Sequence, residues 1–211
     1  MIKTLAFGGY RSLRELHLAL GRLTVITGDN GAGKSNVYRA LRLLVDAAEG
    51  NLGRALAREG GMPSALWAGA GRPTKPGAGT RLSIGFADEL IAYELRLGLP
   101  SPPPPSPPPA FSFDPEVKEE TIRTLASPRT KLLERRGLSV MLRDEEGRPQ
   151  TFAAQLDINE SVLSQLAEPH RYPVLSILRE RVRRWRFYHQ IRTDLESPLR
   201  TIQVGSRTPV L

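Results

Sequence analysis

Apolar and polar positions alternate over the first twenty residues, most clearly at Leu16, Leu18 and Leu20. This alternation predicts two short strands that bend around residues 8–12. Residues 23–27 form a short, nearly all apolar run with β-branched side chains, which predicts a buried parallel strand. After a glycine-rich turn, apolar residues recur at helical spacing and end near Gly50, which predicts a helix. Its apolar positions are Val37, Ala40, Leu41, Leu44, Val45 and Ala48.

Weaker patterns follow this strand, turn and helix. We predict a helix at 52–58, and then a hairpin of strands 82–86 and 91–97 around a turn at 87–89. Phe111 and Phe113 predict a further strand, and residues 132–135 and 138–143 predict a second hairpin, which a turn at 144–148 follows. Two helices are predicted at 159–166 and 174–186. The proline tract at 101–109 can join neither a helix nor a sheet and predicts an extended surface loop.

The amino-acid composition limits the kinds of site, the locations and the partners that we expect for the protein. The 211 residues include no cysteine, so disulfides and thiolate metal sites are excluded. No apolar run reaches 18 residues and the N-terminus does not have the form of a secretory signal, so we expect a cytoplasmic protein without membrane contact. The net charge is +8, with 25 Arg and only five Lys. This basicity permits a nucleic-acid partner, but a GC-rich genome, which favours Arg, Ala, Gly and Pro throughout, explains it equally well.

The strongest chemical signal is the G-x-x-x-x-G-K-[ST] pattern at residues 28–35, directly between the predicted strand and the predicted helix. Backbone amides of such a loop converge on phosphate oxygens, and the N-terminus of the helix adds a favourable dipole. Lys34 is predicted to reach the β- and γ-phosphates and is the candidate catalytic residue, whereas Ser35 is predicted to bind Mg²⁺. The pattern predicts ATP and Mg²⁺ as ligands. Its residues are Gly28, Asp29, Asn30, Gly31, Ala32, Gly33, Lys34 and Ser35.

The segment that surrounds this loop resembles the N-terminal lobe of ABC-type ATPases of the SMC, RecF and OLD group. Those proteins have an aromatic-Arg/Lys-Ser turn, a strand and then G-x-N-G-x-G-K-[ST]-N, and here the match is carried by Tyr10, Arg11 and Ser12 and by Asn30, Gly31 and Asn36. The specific part covers the first 48 residues. The resemblance implies that Arg11 and Asn36 join the nucleotide-binding residues.

The same resemblance implies an α/β P-loop NTPase lobe with a mixed parallel and antiparallel sheet, to which β-hairpins and C-terminal helices are added. It also implies ATP-driven dimerisation and work on DNA in repair, recombination or phage defence. We therefore expect one lobe over 1–211: a core at 1–50, a helix and loop at 51–80, hairpins with the proline-rich loop 100–109 at 80–150, and a helical segment and tail at 151–211.

Two elements that this group needs for hydrolysis are not evident in the sequence. Residues 82–86 read LSIGF and match the signature turn by letters, but they lie on a predicted strand. Asp144 and Glu145 resemble a Walker B end, yet Arg143 interrupts the apolar run before them. We therefore expect a truncated head that binds ATP but hydrolyses little of it, with a C-terminal lobe or a second head as partner. A small P-loop kinase and a non-enzymatic, nucleotide-dependent DNA-binding module remain alternatives.

Two further features remain open at this point. Residues 179–192 hold six Arg and one Glu, which is either a solvated helix face or a contact with DNA or a second head. Gln155, Gln165 and Gln190 are equal candidates for the glutamine that connects the two lobes in this group. The histidines His17, His170 and His189 are too scattered in the sequence to predict a metal site.

Overall fold

A computed structural model describes residues 1–69, 81–100, 114–127, 129–143, 147–152 and 156–188. Eight strands form a single sheet in the order β2-β1-β3-β4-β5-β6-β7-β8, and each neighbouring pair is antiparallel. Short turns join most sequential neighbours, which is why antiparallel pairing results. The strands are β1 (Thr4–Tyr10), β2 (Leu13–Ala19), β3 (Arg81–Ala87), β4 (Ile91–Gly98), β5 (Glu116–Thr124), β6 (Lys131–Arg136), β7 (Ser139–Arg143) and β8 (Pro149–Phe152).

Across the described ranges, five helices accompany the sheet, and α1 contacts α2, α4, α5, β1 and β3. The helices are α1 (Lys34–Glu49), α2 (Leu52–Arg58), α3 (Met62–Ala65), α4 (Val162–Gln165) and α5 (Pro173–Arg183). Helix α1 ends as predicted at Gly50, whose left-handed conformation (φ 75°) lets the next amide, that of Asn51, bond to Asp46 O at 2.8 Å. Five of the six predicted apolar positions of α1 are buried, whereas Leu41 is only partly buried, and Leu43 and Ala47 are buried although they were not predicted.

The buried face of the sheet is organised in rows that cross neighbouring strands. Buried apolar and aromatic residues fill the central part of one row, from Leu5 through Phe86, Tyr93 and Ile122 to Leu133. The next row is also apolar at its two ends, but its centre is charged: Phe7, Ile84, Leu95, Glu120, Arg135 and Val140.

Glu120 and Arg135 are both fully buried, with Arg135 Nη1 3.7 Å from Glu120 Oε2. Glu120 accepts hydrogen bonds from Tyr93 Oη (2.7 Å), Ser161 Oγ (2.5 Å) and the amide of Val162 (2.9 Å). Burial raises the pKa of the Glu120 carboxyl and lowers that of the Arg135 guanidinium. The cluster joins the sheet to the start of α4, because Ser161 is also the N-cap of that helix.

The predicted parallel strand at 23–27 is wrong, and with it the mixed sheet within the described residues. The side chains of Leu23, Val25 and Ile26 are 84, 73 and 44% exposed, and the segment has no strand assignment. Strand composition alone does not make a strand, because a ladder needs a partner, and residues 23–27 pair with none of the strands described in this sheet.

The other predicted elements are mostly confirmed. The first hairpin, both later hairpins and the helix at 52–58 are present, although the last two predicted helices are shorter than expected at Val162–Gln165 and Pro173–Arg183. Residues 82–86 lie on β3. This agrees with the prediction that they form a strand and not a signature turn. The proline tract, Phe111, Phe113, Asp144 and Glu145 lie outside the described residues.

Candidate functional site

The predicted phosphate-binding loop lies on the surface, and α1 begins directly after it. Gly33 is the N-cap of α1 and has a left-handed conformation (φ 93°), as does Gly31 (φ 86°). Glycine adopts such angles without the cost that a side chain would add. A glycine N-cap has no side-chain acceptor, so the amides of Lys34 and Ser35 have no side-chain cap, whereas the amide of Asn36 donates to Gly33 O at 2.9 Å.

Gly33 is also required by its surroundings. A Cβ atom at this position would clash with Ser12 Oγ, and Ser12 lies in the turn between β1 and β2. Asn36 Nδ2 donates a hydrogen bond to the same Ser12 Oγ at 2.8 Å. Ser12 of the first hairpin therefore lies beside Gly33 and is bonded to Asn36, at the start and in the first turn of α1. The sequence comparison with ATPase lobes included Ser12 in its turn motif, but this anchoring role was not predicted.

Lys34 folds back over the loop. Its Nζ donates hydrogen bonds to the carbonyl oxygens of Gly28 (2.5 Å) and Asp29 (2.7 Å). Asp29 O also accepts a hydrogen bond from the amide of Ala32 (3.2 Å), which closes the turn that contains Asn30 and Gly31. The ammonium group thus lies beside the loop, where it can exchange these carbonyl bonds for phosphate oxygens. Ser35 is exposed on the first turn of α1.

Together these features fit a nucleoside triphosphate with its magnesium ion. Free helical amides, glycines with positive φ, a lysine over the loop and an exposed hydroxyl are the donor set that phosphates and a hard cation require. Within the described ranges, no three His, Asp or Glu side chains cluster into a metal site of their own. Ser35, the residue predicted from the sequence to bind Mg²⁺, has an exposed position beside this loop.

The predicted role of Arg11 is not supported by its position. Its Nε and Nη2 donate to Glu59 Oε2 at 3.0 and 2.8 Å, and Tyr10 Oη donates to the same carboxylate at 2.9 Å. Glu59 is the C-cap of α2, so this cluster ties that helix to the β1–β2 turn. To contact a phosphate, Arg11 would have to share or leave Glu59. Glu59 was missed in the sequence because it lies 48 residues from Arg11.

The other predicted candidates have structural partners. The side-chain amide of Gln165 bridges the loop before α4: its Nε2 donates to Glu160 O (2.8 Å) and its Oε1 accepts from the amide of Asp157 (2.6 Å). Gln155 and Gln190 lie outside the described residues. Of the arginine-rich segment, Arg181 forms an ion pair with Asp88, and Arg183 forms one with Glu180. Two of the arginines in this part of the chain therefore have acidic partners within the chain.

Comparison with known proteins identifies the kind of domain. A family model described as "AAA domain, putative AbiEii toxin, Type IV TA system" matches residues 23–198. An OLD nuclease of Thermus scotoductus is 44% identical over 45 residues, which are 21% of this chain and 8% of that protein. An uncharacterized protein of Methanocaldococcus jannaschii is 43% identical over 51 residues, which are 24% of this chain and 23% of that protein. The chain thus aligns with only a small part of each relative, and no solved structure matches it significantly.

In the part of the chain that the structure describes, we find no helix with the length and apolar character needed to cross a bilayer.

Proposed function

Because the chain belongs to this family of AAA domains, and is thereby a P-loop ATPase domain that binds nucleotide, we propose that it binds ATP with Mg²⁺ through residues 28–35 and couples that binding to work on DNA. The observation that carries the proposal is the start of α1. There the glycine N-cap leaves the amides of Lys34 and Ser35 without a side-chain cap, and the Lys34 side chain lies across the loop beside them.

Each residue of the loop has a distinct task in this proposal. The amides after Gly33 bind phosphate oxygens, and Lys34 moves from the carbonyls of Gly28 and Asp29 to the β- and γ-phosphates. Asn36 and Ser12 keep the helix start in place. Ser35 holds the magnesium ion, which when bound neutralises charge on the phosphates. Arg11 joins the site only if it releases Glu59.

The exposed apolar segment supports a partner beside the loop. Three large apolar side chains, Leu23, Val25 and Ile26, face solvent directly before Gly28. Contiguous exposed apolar residues next to a site are typical of an interaction surface. We propose that a strand of a second lobe or of a second head covers them, and that ATP binding promotes this association, in a homodimer where the partner is a second copy. A cytoplasmic location remains a prediction from the sequence.

DNA as the target is supported by the match to an OLD nuclease and by the net charge of +8. Action on DNA is a proposal, because the nuclease aligns with this chain over only 45 residues. The pathway in which the protein acts on DNA, whether repair, recombination or phage defence, is likewise a proposal.

The first prediction tests nucleotide binding. Lys34→Ala should weaken Mg·ATP binding by about tenfold to a hundredfold, because a hydrogen bond to a charged group contributes about 1.5–3 kcal/mol. Isothermal titration calorimetry of the 211-residue chain measures the effect. Lys3→Ala is the matched control, since Lys3 is an exposed lysine that contacts Glu89 instead. Ser35→Ala should chiefly reduce the gain in affinity that Mg²⁺ gives. Unchanged ATP affinity in Lys34→Ala would overturn the assignment of the loop.

We expect turnover by this chain alone to stay near background with saturating Mg·ATP and DNA. Loss of a group that stabilises the transferred phosphoryl charge costs about 10³–10⁵ in rate. A partner that covers residues 23–26 should restore hydrolysis if it supplies that group. Steady hydrolysis by the 211 residues, abolished in Lys34→Ala, would contradict this expectation and make Asp144 and Glu145 the catalytic candidates.

A further inference from the structure

A second concave site lies beside the nucleotide-binding loop, between the outer face of α1 and α2. The cleft has a volume of about 380 Å³, which is within the range of small-ligand sites. It is closed on one side by Phe187, four residues beyond the end of α5. Its chemically distinctive lining consists of Tyr38, Arg39, Arg42, Asp46, Arg58 and Phe187.

Aromatic rings form one wall of the cleft. Phe187 packs edge-to-face against Tyr38, with ring centroids 5.3 Å apart. The guanidinium of Arg42 lies 5.7 Å from the centroid of the Phe187 ring. Phe187 is therefore held in a fixed place by two residues of α1. A fixed ring beside guanidinium groups is the surface on which nucleic acid bases stack.

The arginines of this cleft differ from those on the sheet. Arg81 and Arg96 form ion pairs with Glu119, and Arg136 forms one with Glu134. Within the described ranges, Arg39, Arg42 and Arg58 form no ion pair of that kind, although Asp46 is near Arg42 and Arg58. Their charges are therefore neutralised much less than those on the sheet.

The carboxylates at the cleft do not cancel this charge. Glu59 is already bound by Tyr10 and Arg11. Asp46 is half-buried; burial raises the pKa of its carboxyl, while the neighbouring guanidinium groups of Arg42 and Arg58 act to lower it. Three arginines, two aromatic rings and one remaining acid thus leave a positive, ring-lined cleft.

We propose that this cleft binds a nucleotide unit of a single DNA strand, with Arg39, Arg42 and Arg58 on the phosphates and Phe187 against a base. The inference deepens the proposed function, because it names where the DNA of that proposal is held. From the arginine-rich segment 179–192 the proposal uses only Phe187, and Arg181 and Arg183 of that segment have acidic partners within the chain.

The two sites share α1 but do not overlap. Lys34 and Arg42 are eight residues apart, which corresponds to about 12 Å along the helix axis. Glu59 lines the cleft and binds Arg11, whose neighbour Ser12 contacts Asn36 at the nucleotide loop. ATP and a DNA strand can therefore be held at the same time on one helix.

The test measures how a fluorescently labelled oligothymidine of 20 nucleotides binds to the 211-residue chain. Fluorescence anisotropy gives the affinity at several salt concentrations. The variant Arg39→Ala/Arg42→Ala should bind at least about tenfold more weakly, and its slope of log affinity against log salt should be shallower by about 1.4, because each phosphate contact on a single strand contributes about 0.7. The control Arg81→Ala/Arg136→Ala removes the same charge from ion-paired positions and should bind like the parent.

A third variant separates stacking from charge. Phe187→Leu should weaken binding about fivefold to a hundredfold, the effect of one lost base stack, and leave the salt slope unchanged. Equal losses in the cleft variant and the control variant would overturn the proposal, as would strand binding that neither Arg39→Ala/Arg42→Ala nor Phe187→Leu reduces.

Two further measurements keep this proposal separate from the nucleotide-binding proposal. Calorimetry with free AMP in a Lys34→Ala background tests whether the cleft takes mononucleotides; binding of AMP without binding of the oligothymidine would overturn the assignment to a DNA strand. Arg39→Ala/Arg42→Ala should retain parental ATP affinity, because Lys34 and Ser35 are intact. If Lys34→Ala binds ATP normally, the function proposed for the loop fails, whereas the strand-binding experiment is unaffected.

Discussion

The two polar centres of this domain, the nucleotide loop and the buried cluster around Glu120, are built in opposite ways. The loop uses consecutive residues, its backbone carries most of the chemistry, and it lies on the surface. The cluster draws Tyr93, Glu120, Arg135 and Ser161 from four separate parts of the chain and buries all of them. The loop is therefore open to ligands, and the cluster is committed to holding α4 on the sheet.

From this difference we expect mutations in the two centres to affect different properties of the protein. Changes in the loop should affect ligand affinity at a smaller cost to folding than changes in the cluster, because fewer tertiary contacts are lost. Changes in the cluster should affect folding with little effect on the affinity of the protein that remains folded. Three predictions test the claim, each at a different part of the comparison.

The largest effect is expected at the cluster. Glu120→Ala should lower the free energy of unfolding by about 3–5 kcal/mol, because it leaves the buried charge of Arg135 without its partner. The hydroxyls of Tyr93 and Ser161 also lose their acceptor. Urea denaturation measures the loss, and Glu120→Gln, which keeps the shape and an acceptor, should lose less. A change below about 1 kcal/mol in Glu120→Ala would show that the cluster does not hold the fold.

The same contrast explains which parts could be predicted from the sequence. The loop and α1 were predictable because their signals are local: eight consecutive residues, then an apolar repeat that ends at Gly50. The hairpins were predictable because each strand pairs with its neighbour in the chain. The cluster was not, since Glu120 meets Arg135 and Ser161 only after the strands pair and α4 docks.

The incorrect strand at 23–27 has the same physical origin. Its composition suits a strand, but whether such a segment pairs depends on a neighbour elsewhere. In this structure β2 occupies the edge, and the apolar side chains at 23, 25 and 26 remain exposed. The long-range contacts of Arg11 with Glu59 and of Phe187 with Tyr38 were likewise beyond local patterns.

A smaller effect on folding is expected within the loop, at two glycines that differ in one respect. Gly31→Ala and Gly33→Ala should each cost about 1–2 kcal/mol, because both residues have a left-handed conformation. Gly33→Ala should cost more, since its new Cβ would also displace Ser12 Oγ from Asn36, whereas no atom lies near the corresponding position at Gly31.

Thermal or urea unfolding ranks these two variants, and calorimetry gives their ATP affinities. Gly33→Ala should lose at least about tenfold in ATP affinity, because the helix start shifts away from Ser12. Equal stability and equal ATP affinity in the two variants would show that Ser12 does not position the loop.

The smallest effect is expected directly before the loop. Leu23→Ser/Val25→Ser should change the free energy of unfolding by no more than about 0.5 kcal/mol, because both side chains are mostly exposed and surface substitutions rarely cost more. The matched variant Leu82→Ser/Ile84→Ser changes two apolar residues that are completely buried, and it should lose several times as much or fail to fold. Urea denaturation of the 211-residue chain gives both values. A large loss in Leu23→Ser/Val25→Ser would mean that this segment already packs within the chain, and it would remove the reason to expect a partner at this surface. A negligible loss, together with weaker ATP-dependent association in analytical ultracentrifugation, would locate the partner at residues 23–26.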